Sequence, residues 1–387
     1  MKRKRLLSLS ALAAALAAIP LTAQDGAGLP ANPDDPEWAH PPIVIFPSPD
    51  TTTVKGYSPI EIRSAYGLAG ITNEGAGQTI ALVDAFDNPD AASDLTTFDK
   101  QFNLAACTEA NGCFKKIYAT GSQPSTNKMW ASEISLDIEW SHAIAPEANI
   151  VLVEAASASM DDLLGAVVVA EQNGASVVSM SWYGKETSKE TDNDYIFNVK
   201  GLVFCSSSGD NGHGANYPAA SPYVVAVGGT TLEISGNAWS SETAWADSGG
   251  GESKYETEPS YQASSQTSGK RGIPDVAWDA NPSTGVAVYS KTGTGGWAMV
   301  GGTSVGSPAW AGIFAIVNSR LAGAGKKLLT QPQILLYPDA EADYHDITSG
   351  SNGTCGALCT AGPGYDFVTG LGSPQANLLI PALFAAN

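Results

Sequence analysis

Residues 78–86 read QTIALVDAF, a short apolar run whose small and branched residues suit both faces of a buried β-strand. Four further runs have the same character: NIVLVEA (149–155), ASVVSMSW (175–182), LVFCSSSGD (202–210) and VVAVGG (224–229). Strands that are apolar on both faces are typical of parallel sheets, because helices cover such sheets on both sides. The five runs therefore predict one parallel sheet at the centre of the molecule.

Helical patterns lie between these strands, at roughly residues 91–103, 131–145, 160–173 and 190–200, and a longer one starts near Ser304. Strands that alternate with helices predict an α/β fold of three layers, in which helices flank a mostly parallel central sheet. In such folds, ligands bind beyond the carboxyl ends of the strands. Side chains in the loops that follow the strands are thus the first candidates for a functional site.

The composition indicates an acidic chain with a large core. Of its 387 residues, 43% are hydrophobic and 15% are charged, and the formal net charge is −19 at pH 7. So little charge is untypical of a disordered chain. The negative charge repels nucleic acids and anionic membranes, so we expect neither as a partner. It also suits work in acid, where protonation of carboxylates relieves their mutual repulsion.

The first 56 residues predict export and an extended arm. Residues 1–23 combine a basic start, an apolar stretch and a small-residue cleavage site, which are the features of a secretory signal peptide. Residues 24–56 are polar and rich in proline. We expect a soluble chain that is secreted to the extracellular space or the periplasm and makes no membrane contact after signal cleavage.

Five cysteines fit an oxidising compartment. Cys107 and Cys113 bracket one short loop, and Cys355 and Cys359 bracket another, so each pair predicts a local disulfide. Zinc binding is disfavoured because no histidine lies near either pair at the usual spacing. Cys205 stands in an apolar run and is predicted to be a buried free thiol.

Two carboxylates stand out in the sequence WASEISLDIEW (130–140). Glu133 and Asp137 are four positions apart, which places them side by side on one face of a helix, among apolar neighbours. Adjacent carboxylates tend to share a proton, which raises one pKa and lets the pair act as a base in acid. The alternative is a solvated helix face without a function.

A glycine-rich turn, VGGTSVGSP (300–308), precedes the longest predicted helix. Ser304 would lie at the helix N-terminus, where free backbone N–H groups and the dipole favour developing negative charge. This setting suits a nucleophilic serine, and the alternative is a plain N-cap. Asp210 follows a predicted strand, at the edge where site residues collect, but aspartate is also a common turn residue in glycine-rich loops.

Together these three segments resemble the sedolisin family of serine-carboxyl peptidases, which is similar to the subtilisins in fold. The shared features are the acid pair on an early helix, the aspartate in SGDNG and the GTS that opens a late helix. Further similarity lies in YSPIEIRSAYGL, VVSMSWYG and AGPGYDFVTGLGSP. The resemblance begins at about Tyr57 and implies a subtilisin-like peptidase domain over residues 57–387.

The resemblance also implies a role for each site residue. Ser304 would be the nucleophile, Glu133 the general base, and Asp137 the residue that orients Glu133 and shares its proton. Asp210 would be protonated and would donate to the oxyanion, beside the backbone N–H of Ser304. Because Asp210 must be neutral while the acid pair must still accept a proton, only acidic pH satisfies both demands.

The histidines argue against a triad built on imidazole. None of His40, His142, His213 and His345 has the HGTxV context that is usual in subtilisins. His213, three residues after Asp210, is the one rival base.

Two C-terminal loops, YHDITSG (344–350) and AGPGYDFVTG (361–370), resemble the calcium loops of the same family. Oxygen ligands from glycine-rich loops suit Ca²⁺, and the alternative is a pair of ordinary turns. The implied ligands are the carboxylates of Asp346 and Asp366 and the backbone carbonyls of Ile347, Gly362 and Gly364.

We therefore expect a monomeric endopeptidase that cleaves polypeptide substrates in acid, through a Ser-Glu-Asp triad and an acyl-enzyme. Two alternatives stay open: a tripeptidyl-peptidase that trims from a free N-terminus, and a non-catalytic secreted binding protein on the same scaffold. One departure concerns the N-terminus, because sedolisins usually carry a long pro-domain and only about 33 residues follow the predicted signal here. Either the chain folds without such a helper, or the arm at 24–56 does part of its work by covering the cleft.

Overall fold

The computed structural model describes residues 35–46, 50–338 and 342–387. The predicted signal peptide and the first part of the arm lie outside these residues. Within them, no helix combines the length and the apolar character that a membrane span requires.

The strands are numbered along the chain. They are β1 (Val44–Ile45), β2 (Thr79–Ala85), β3 (Phe114–Tyr118), β4 (Asn149–Ala155), β5 (Val177–Met180), β6 (Gly184–Lys185), β7 (Val203–Ser207), β8 (Asn216–Tyr217), β9 (Val225–Ser235), β10 (Ala238–Ala244), β11 (Gly251–Thr257), β12 (Lys270–Ile273), β13 (Val276–Asp279), β14 (Val286–Ser290), β15 (Gly296–Gly301), β16 (Tyr344–His345) and β17 (Ser373–Pro374). The helices are α1 (Pro59–Ala65), α2 (Ala91–Phe102), α3 (Lys128–Ile144), α4 (Met160–Gln172), α5 (Gly306–Gly323), α6 (Gln333–Leu336) and α7 (Ala376–Ala386).

Eight of the described strands form one central sheet, in the order β10–β9–β7–β5–β2–β4–β3, with β13 also paired to β9. All neighbours in it are parallel except the β9–β10 hairpin. The five strands predicted from sequence are β2, β4, β5, β7 and β9, so the prediction of a mostly parallel sheet is confirmed. Strand β3 was not predicted, because at the sheet edge its lysines break the apolar run.

The two faces of the sheet carry separate cores. Along β2, Ile80 and Leu82 pack with α2, α3 and α5, whereas Ala81 and Val83 pack with α4 on the other face. Side chains alternate between faces along a strand, so Asp84 points to the face that α3 covers. The alternation of side chains along β2 thus places a third carboxylate, Asp84, against the helix that carries Glu133 and Asp137.

Two helix predictions need correction. Residues 190–200 form two short 3₁₀ turns, Glu190–Asp192 and Asp194–Ile196, because the local Thr, Asp and Asn residues favour turns over helix. Helix α5 begins at Gly306, and Ser304 lies in the 3₁₀ turn Thr303–Val305 that precedes it.

The cysteine predictions are confirmed. Disulfides join Cys107 to Cys113 and Cys355 to Cys359, and Cys205 is a buried free thiol.

A close approach of α3 and α5 positions the site. Residues 130–144 of α3 are all buried, because the helix is covered by the sheet, α5 and α2 together. A Cβ at Gly312 of α5 would lie 2.7 Å from Ile144 Cγ2 and 2.8 Å from Ile144 Cβ. Only glycine lets the two helices pack this closely, and the turn with Ser304 thereby comes next to the acids of α3.

Replacing Gly312 by leucine should push α3 and α5 apart. Overpacking of this kind costs about 1–3 kcal/mol of unfolding free energy, which chemical denaturation measures. Gly323→Leu is the matched control, because Gly323 is exposed in the same helix and a Cβ there has no neighbour within 4 Å. Equal stability loss in both variants would contradict the close-packing account.

Candidate active site

Three carboxylates are buried together between β2 and α3. Asp84, Glu133 and Asp137 have no exposed surface. Helix α3 begins where it does because the Asn127 side chain caps it, accepting hydrogen bonds from the N–H groups of Met129 and Trp130 at 3.0 and 3.2 Å. No described residue forms a hydrogen bond with either carboxylate oxygen of Asp84 or of Glu133.

Burial is the main cause that raises the pKa of each of these acids well above its ordinary value. For Glu133, the charges of Asp137, Asp84 and Asp210 raise the pKa further, and the Ser304 hydroxyl lowers it. For Asp84, the second cause is the charge of Asp137. The cluster cannot hold three negative charges in so little solvent, so its members share protons.

Ser304 lies next to this cluster, near Glu133. It is fully buried, and its Oγ forms no hydrogen bond with a described residue. Its hydroxyl is near enough to Glu133 to favour the ionised carboxylate, although the pair does not reach hydrogen-bond geometry. Catalytic hydrogen bonds are often loose before substrate arrives, so this arrangement fits a nucleophile and its base.

Ser181, just after β5, ties the cluster to the turn that carries Ser304. Its hydroxyl lies 2.7 Å from Asp137 Oδ1 and 3.4 Å from the Ser304 carbonyl oxygen. The first contact lowers the pKa of Asp137, against the larger effect of burial. Ser181 therefore fixes the orientation of Asp137, which in turn faces Glu133.

Asp210 contacts the turn that carries Ser304. Its Oδ1 accepts hydrogen bonds from Thr303 N at 2.9 Å and from Thr303 Oγ1 at 2.7 Å. Its Oδ2 is shielded from solvent and has no partner among the described residues. Burial raises the pKa of Asp210 to about 7, and the charge of Asp247 adds to the rise. Below that pH, Asp210 carries a proton that Oδ2 can donate.

The described part of the arm fills the cleft in front of Ser304. Near the start of the described arm, His40 pairs with Tyr183 through two backbone hydrogen bonds of 2.9 and 3.1 Å, and Ala39 N donates to Ala158 O at 2.8 Å. Further along the arm, β1 pairs antiparallel with β15, with Val44 opposite Gly301. The arm thus runs through the cleft as an added strand, with pairing on both sides of Ser304.

Between these two ladders, the Pro42 carbonyl accepts a hydrogen bond from Ser304 N at 3.3 Å. A Cβ at Gly302 would collide with Pro42 O and lie 2.7 Å from Asp210 Oδ2. Pro42 O and Asp210 Oδ2 therefore both lie close to the Gly302 backbone. Gly302 also has a φ of 104°, which an L side chain rarely adopts. The Ser304 N–H and a protonated Asp210 Oδ2 would make a donor pair that fits an oxyanion site.

A cavity of about 250 Å³ opens beside the arm, lined mainly by the segments 183–186 and 211–216. His213 lies exposed at this cavity, whereas His142 bonds to the Ala105 carbonyl at 2.8 Å and His345 stacks on Trp239. None of these three rings is among the groups that set the pKa of Glu133. Trp182 packs into the core beside α4, on the far face of the sheet.

The two predicted calcium loops lie against each other. Asp346 Oδ2 accepts the N–H of Gly364 at 3.1 Å, and Asp366 Oδ2 accepts the N–H of Gly362 at 3.0 Å. Both carboxylates thus reach one short backbone segment, and burial raises the pKa of Asp366. Ile347 is buried, and no described backbone N–H donates to its carbonyl. Oxygen donors from two loops, with one buried acid, fit a hard cation such as Ca²⁺.

A family model described as the subtilase family matches residues 118–334, more than half of the chain. The chain belongs to the subtilase family. It is 31% identical over 364 residues to kumamolisin from Bacillus sp. (strain MN-32), which covers 84% of this chain and 63% of kumamolisin. It is 32% identical over 220 residues to tripeptidyl-peptidase 1 from Canis lupus familiaris, covering 48% and 38% of the two chains.

Among solved structures, Pseudomonas sedolisin, a serine-carboxyl proteinase complexed with two molecules of pseudo-iodotyrostatin, superposes with a TM-score of 0.75 at 28% identity. The match covers 86% of this chain and 99% of that one. The sequence-based resemblance to the sedolisin family and the prediction of a subtilisin-like fold are confirmed. The chain spans less than two thirds of the length of the curated relatives that it matches first.

Sequence reasoning missed two members of this subtilase site. Asp84 is not among the residues predicted from sequence, because it stands inside an apolar strand, although a carboxylate at an inward position of such a strand is itself a signal. Ser181 gave no signal, because serine is common at strand ends. The four predicted residues, Ser304, Glu133, Asp137 and Asp210, all lie around one point.

Asp84→Asn should move the acidic limb of the pH–rate profile to lower pH. The charge of Asp84 raises the pKa of Glu133, so its removal lowers that pKa and leaves Glu133 able to accept a proton in stronger acid. A peptide substrate with a fluorescent leaving group gives kcat/KM against pH. Glu171→Gln is the control, because burial raises the pKa of Glu171 to about 7 on α4, across the sheet. A matching shift in the control would contradict a direct effect of Asp84.

Proposed function

We propose that this protein is an acid-acting serine-carboxyl endopeptidase with Ser304 as nucleophile, Glu133 as general base, Asp137 as its partner and Asp210 as oxyanion donor. The observation that carries the proposal is the convergence of buried polar atoms without partners. Ser304 Oγ, both oxygens of Glu133, Asp137 Oδ2 and Asp210 Oδ2 are all of this kind. Such atoms cost stability, and active sites are where that cost is retained.

The chemistry follows from the positions of these groups. Glu133 takes the proton of Ser304 Oγ as the oxygen attacks the carbonyl carbon of the scissile peptide. Asp137, held by Ser181, shares the proton with Glu133 and so keeps a net charge from building up in the buried cluster. The proton then passes to the leaving nitrogen, and water hydrolyses the resulting ester by the same steps in reverse.

Negative charge on the substrate oxygen is stabilised at the other side of Ser304. The Ser304 N–H and protonated Asp210 Oδ2 would both donate to it. A neutral carboxyl is a hydrogen-bond donor, whereas its ionised form would repel the oxyanion. With a pKa of about 7, Asp210 is a donor through the whole acidic range.

The shape of the cleft supports endopeptidase activity over the tripeptidyl alternative. The arm occupies the cleft on both sides of Ser304, with Ala39 three residues before Pro42 and Trp38 still paired, by a backbone bridge to Ser159. The cleft thus holds five residues of the arm, 38–42, before the peptide bond that lies next to Ser304. A tripeptidyl-peptidase would have to block the chain after three residues. The tripeptidyl-peptidase relative matches less than half of this chain, which gives its activity less weight here.

A bound calcium ion would stabilise the C-terminal loops through Asp346, Asp366 and neighbouring carbonyls. Those loops support the Asp210 side of the site: Ser248 Oγ lies 3.2 Å from Val368 O, and Gly249 N donates to Gly209 O at 2.6 Å. The ion would supply charge balance for the buried Asp366 carboxylate.

Export, signal cleavage and a monomeric state complete the proposal. Export and signal cleavage are supported by the N-terminal composition and by the two disulfides, which fit an oxidising compartment.

The alkaline limb of the pH–rate profile should report Asp210. As pH rises through about 7, Asp210 ionises and activity falls. Asp210→Asn keeps a donor at every pH, so its limb should move upward. Asp247→Asn should move the limb downward, because the Asp247 charge raises the pKa of Asp210. The measurement is kcat/KM on an N-terminally blocked peptide from pH 3 to 9.

In the same assay, Ser304→Ala should lose about 10⁴-fold or more in kcat. Asp210→Ala, which removes one oxyanion donor, should lose about 10²–10³-fold. Persistent activity in Ser304→Ala would reject the proposed nucleophile, and cleavage only of unblocked peptides would favour the tripeptidyl alternative.

Removal of calcium should lower the melting temperature by a few degrees. A ligand that binds only the folded state stabilises it by about 2.7 kcal/mol at a hundredfold excess over its Kd. Calorimetry with calcium and with a chelator gives the difference, which Asp366→Asn should abolish. Asp192→Asn, a change at an exposed residue, should leave it intact. An equal response in both variants would place the ion elsewhere.

A further inference from the structure

Tyr183 lies in the wall of the cleft, where its backbone forms an edge that pairs with an extended chain. Its carbonyl accepts the N–H of His40 at 2.9 Å, and its amide donates to the His40 carbonyl at 3.1 Å. With Pro42 counted as the first, His40 is the third residue before the peptide bond next to Ser304. A bound substrate would meet the same two backbone groups with its own third residue.

The side chain of Tyr183 reaches from this edge to the loop that carries Asp210. Its ring lies against Gly209, where a Cβ would be 3.3 Å from two of the ring carbons. Its hydroxyl accepts a hydrogen bond from Asn211 Nδ2 at 2.8 Å. Burial raises the pKa of Tyr183 to about 12 and the charge of Asp210 adds to the rise, whereas the Asp210 N–H lowers this pKa from beside the hydroxyl. One side chain thus contacts three consecutive residues, 209–211.

These contacts matter because the Asp210 carboxyl is held through one oxygen only. Thr303 binds Oδ1, whereas Oδ2, the proposed donor, has no partner among the described residues. Asn211, which follows Asp210, is exposed, so little packing restrains that end of the loop. An oxyanion donor is effective only when it is aimed at the place where the charge develops. The aim of Oδ2 therefore depends on the groups that restrain residues 209–211, and Tyr183 is one of them.

We propose that Tyr183 is a positioning residue that links the bound substrate strand to Asp210, through its backbone at one end and its hydroxyl at the other. The inference rests on the proposed function and deepens it, because it assigns a residue that aims the oxyanion donor. Since one residue makes both contacts, a strand that pairs with its backbone also restrains its ring and hydroxyl. A substrate long enough to reach Tyr183 thereby improves the alignment of Asp210.

The alternative is a ring that merely fills the space beside Gly209. Tyr183→Phe separates the two roles, because it keeps the ring and the backbone pairing and removes only the hydroxyl. We expect kcat to fall about tenfold with KM within about twofold of wild type, since the strand edge is intact while the donor is less well aimed. An unchanged kcat would overturn the proposal.

The assay uses the full exported chain and an N-terminally blocked peptide at about pH 4. Titration with a peptide aldehyde counts the active sites, so that misfolded molecules are not read as slow ones. Tyr217→Phe is the matched control, because Tyr217 is a buried tyrosine on β8, which pairs with β6, and its hydroxyl lies 3.5 Å from Asp194 Oδ1. Its kcat should stay within about twofold of wild type.

A double-mutant cycle tests whether the hydroxyl acts through Asp210. In an Asp210→Ala background no donor is left to aim, so Tyr183→Phe should change kcat by less than about twofold. A hydroxyl that only stabilised the fold would cost the same factor in both backgrounds, and that result would overturn the proposal. Asn211→Ala removes the other partner of the hydrogen bond, so its combination with Tyr183→Phe should be no slower than the slower single variant.

Peptide length tests the link to the bound strand. A blocked peptide with four residues before the scissile bond reaches the Tyr183 backbone, and one with two residues does not. In wild type the longer peptide should have the higher kcat, because binding energy at a distance from the reacting bond improves alignment at the bond. In Tyr183→Phe this gain in kcat should be at least about threefold smaller. An equal gain in both enzymes would reject the link between strand and loop.

The Ser304→Ala variant separates the two possible failures. If wild type hydrolyses the peptide, Ser304→Ala does not, and Tyr183→Phe equals wild type, then the role of Tyr183 is rejected and the peptidase function stands. If wild type and Ser304→Ala are equal on the same peptide, the proposed function is rejected, and the role of Tyr183 with it.

Discussion

The burial of acids between the central sheet and α3 is the constraint on which the rest of the structure depends. Asp84, Glu133 and Asp137 lie where water does not reach, so each prefers its protonated form. A single carboxylate in that place would be an inert neutral acid. A cluster that shares protons can instead pass one between its members at low energetic cost.

The same constraint explains why the acids are divided between two sides of Ser304. In the proposed mechanism the α3 side accepts a proton, which it can do while its carboxyl groups hold fewer protons than there are groups. The Asp210 side would keep its proton, and the single carboxyl there is held by Thr303 through one oxygen only. In an imidazole-based site one ring would serve as base at neutral pH. Here the division of roles between two acidic environments replaces it.

The arm occupies the cleft in front of Ser304 through backbone pairing. The backbone edges that would bind a substrate strand, at Tyr183 and at β15, are unpaired strand edges when the cleft is empty. Such edges attract any extended chain, including one tethered nearby. The arm satisfies them with its own backbone, at His40 and along β1.

The strand runs and the spacing of Glu133 and Asp137 were sufficient to predict the parallel sheet, the helix and the acid pair, because burial on both faces and the i,i+4 relation are local properties. The GTS turn and the SGDNG loop likewise indicated Ser304 and Asp210. The role of Asp84 required the tertiary structure, since only the packing of α3 on one face of β2 decides which alternate residues of the strand meet Glu133. The place of the arm did too, because which strand edge an extended proline-rich segment joins, and in what register, depends on contacts between residues more than 100 positions apart, such as Pro42 and Ser304.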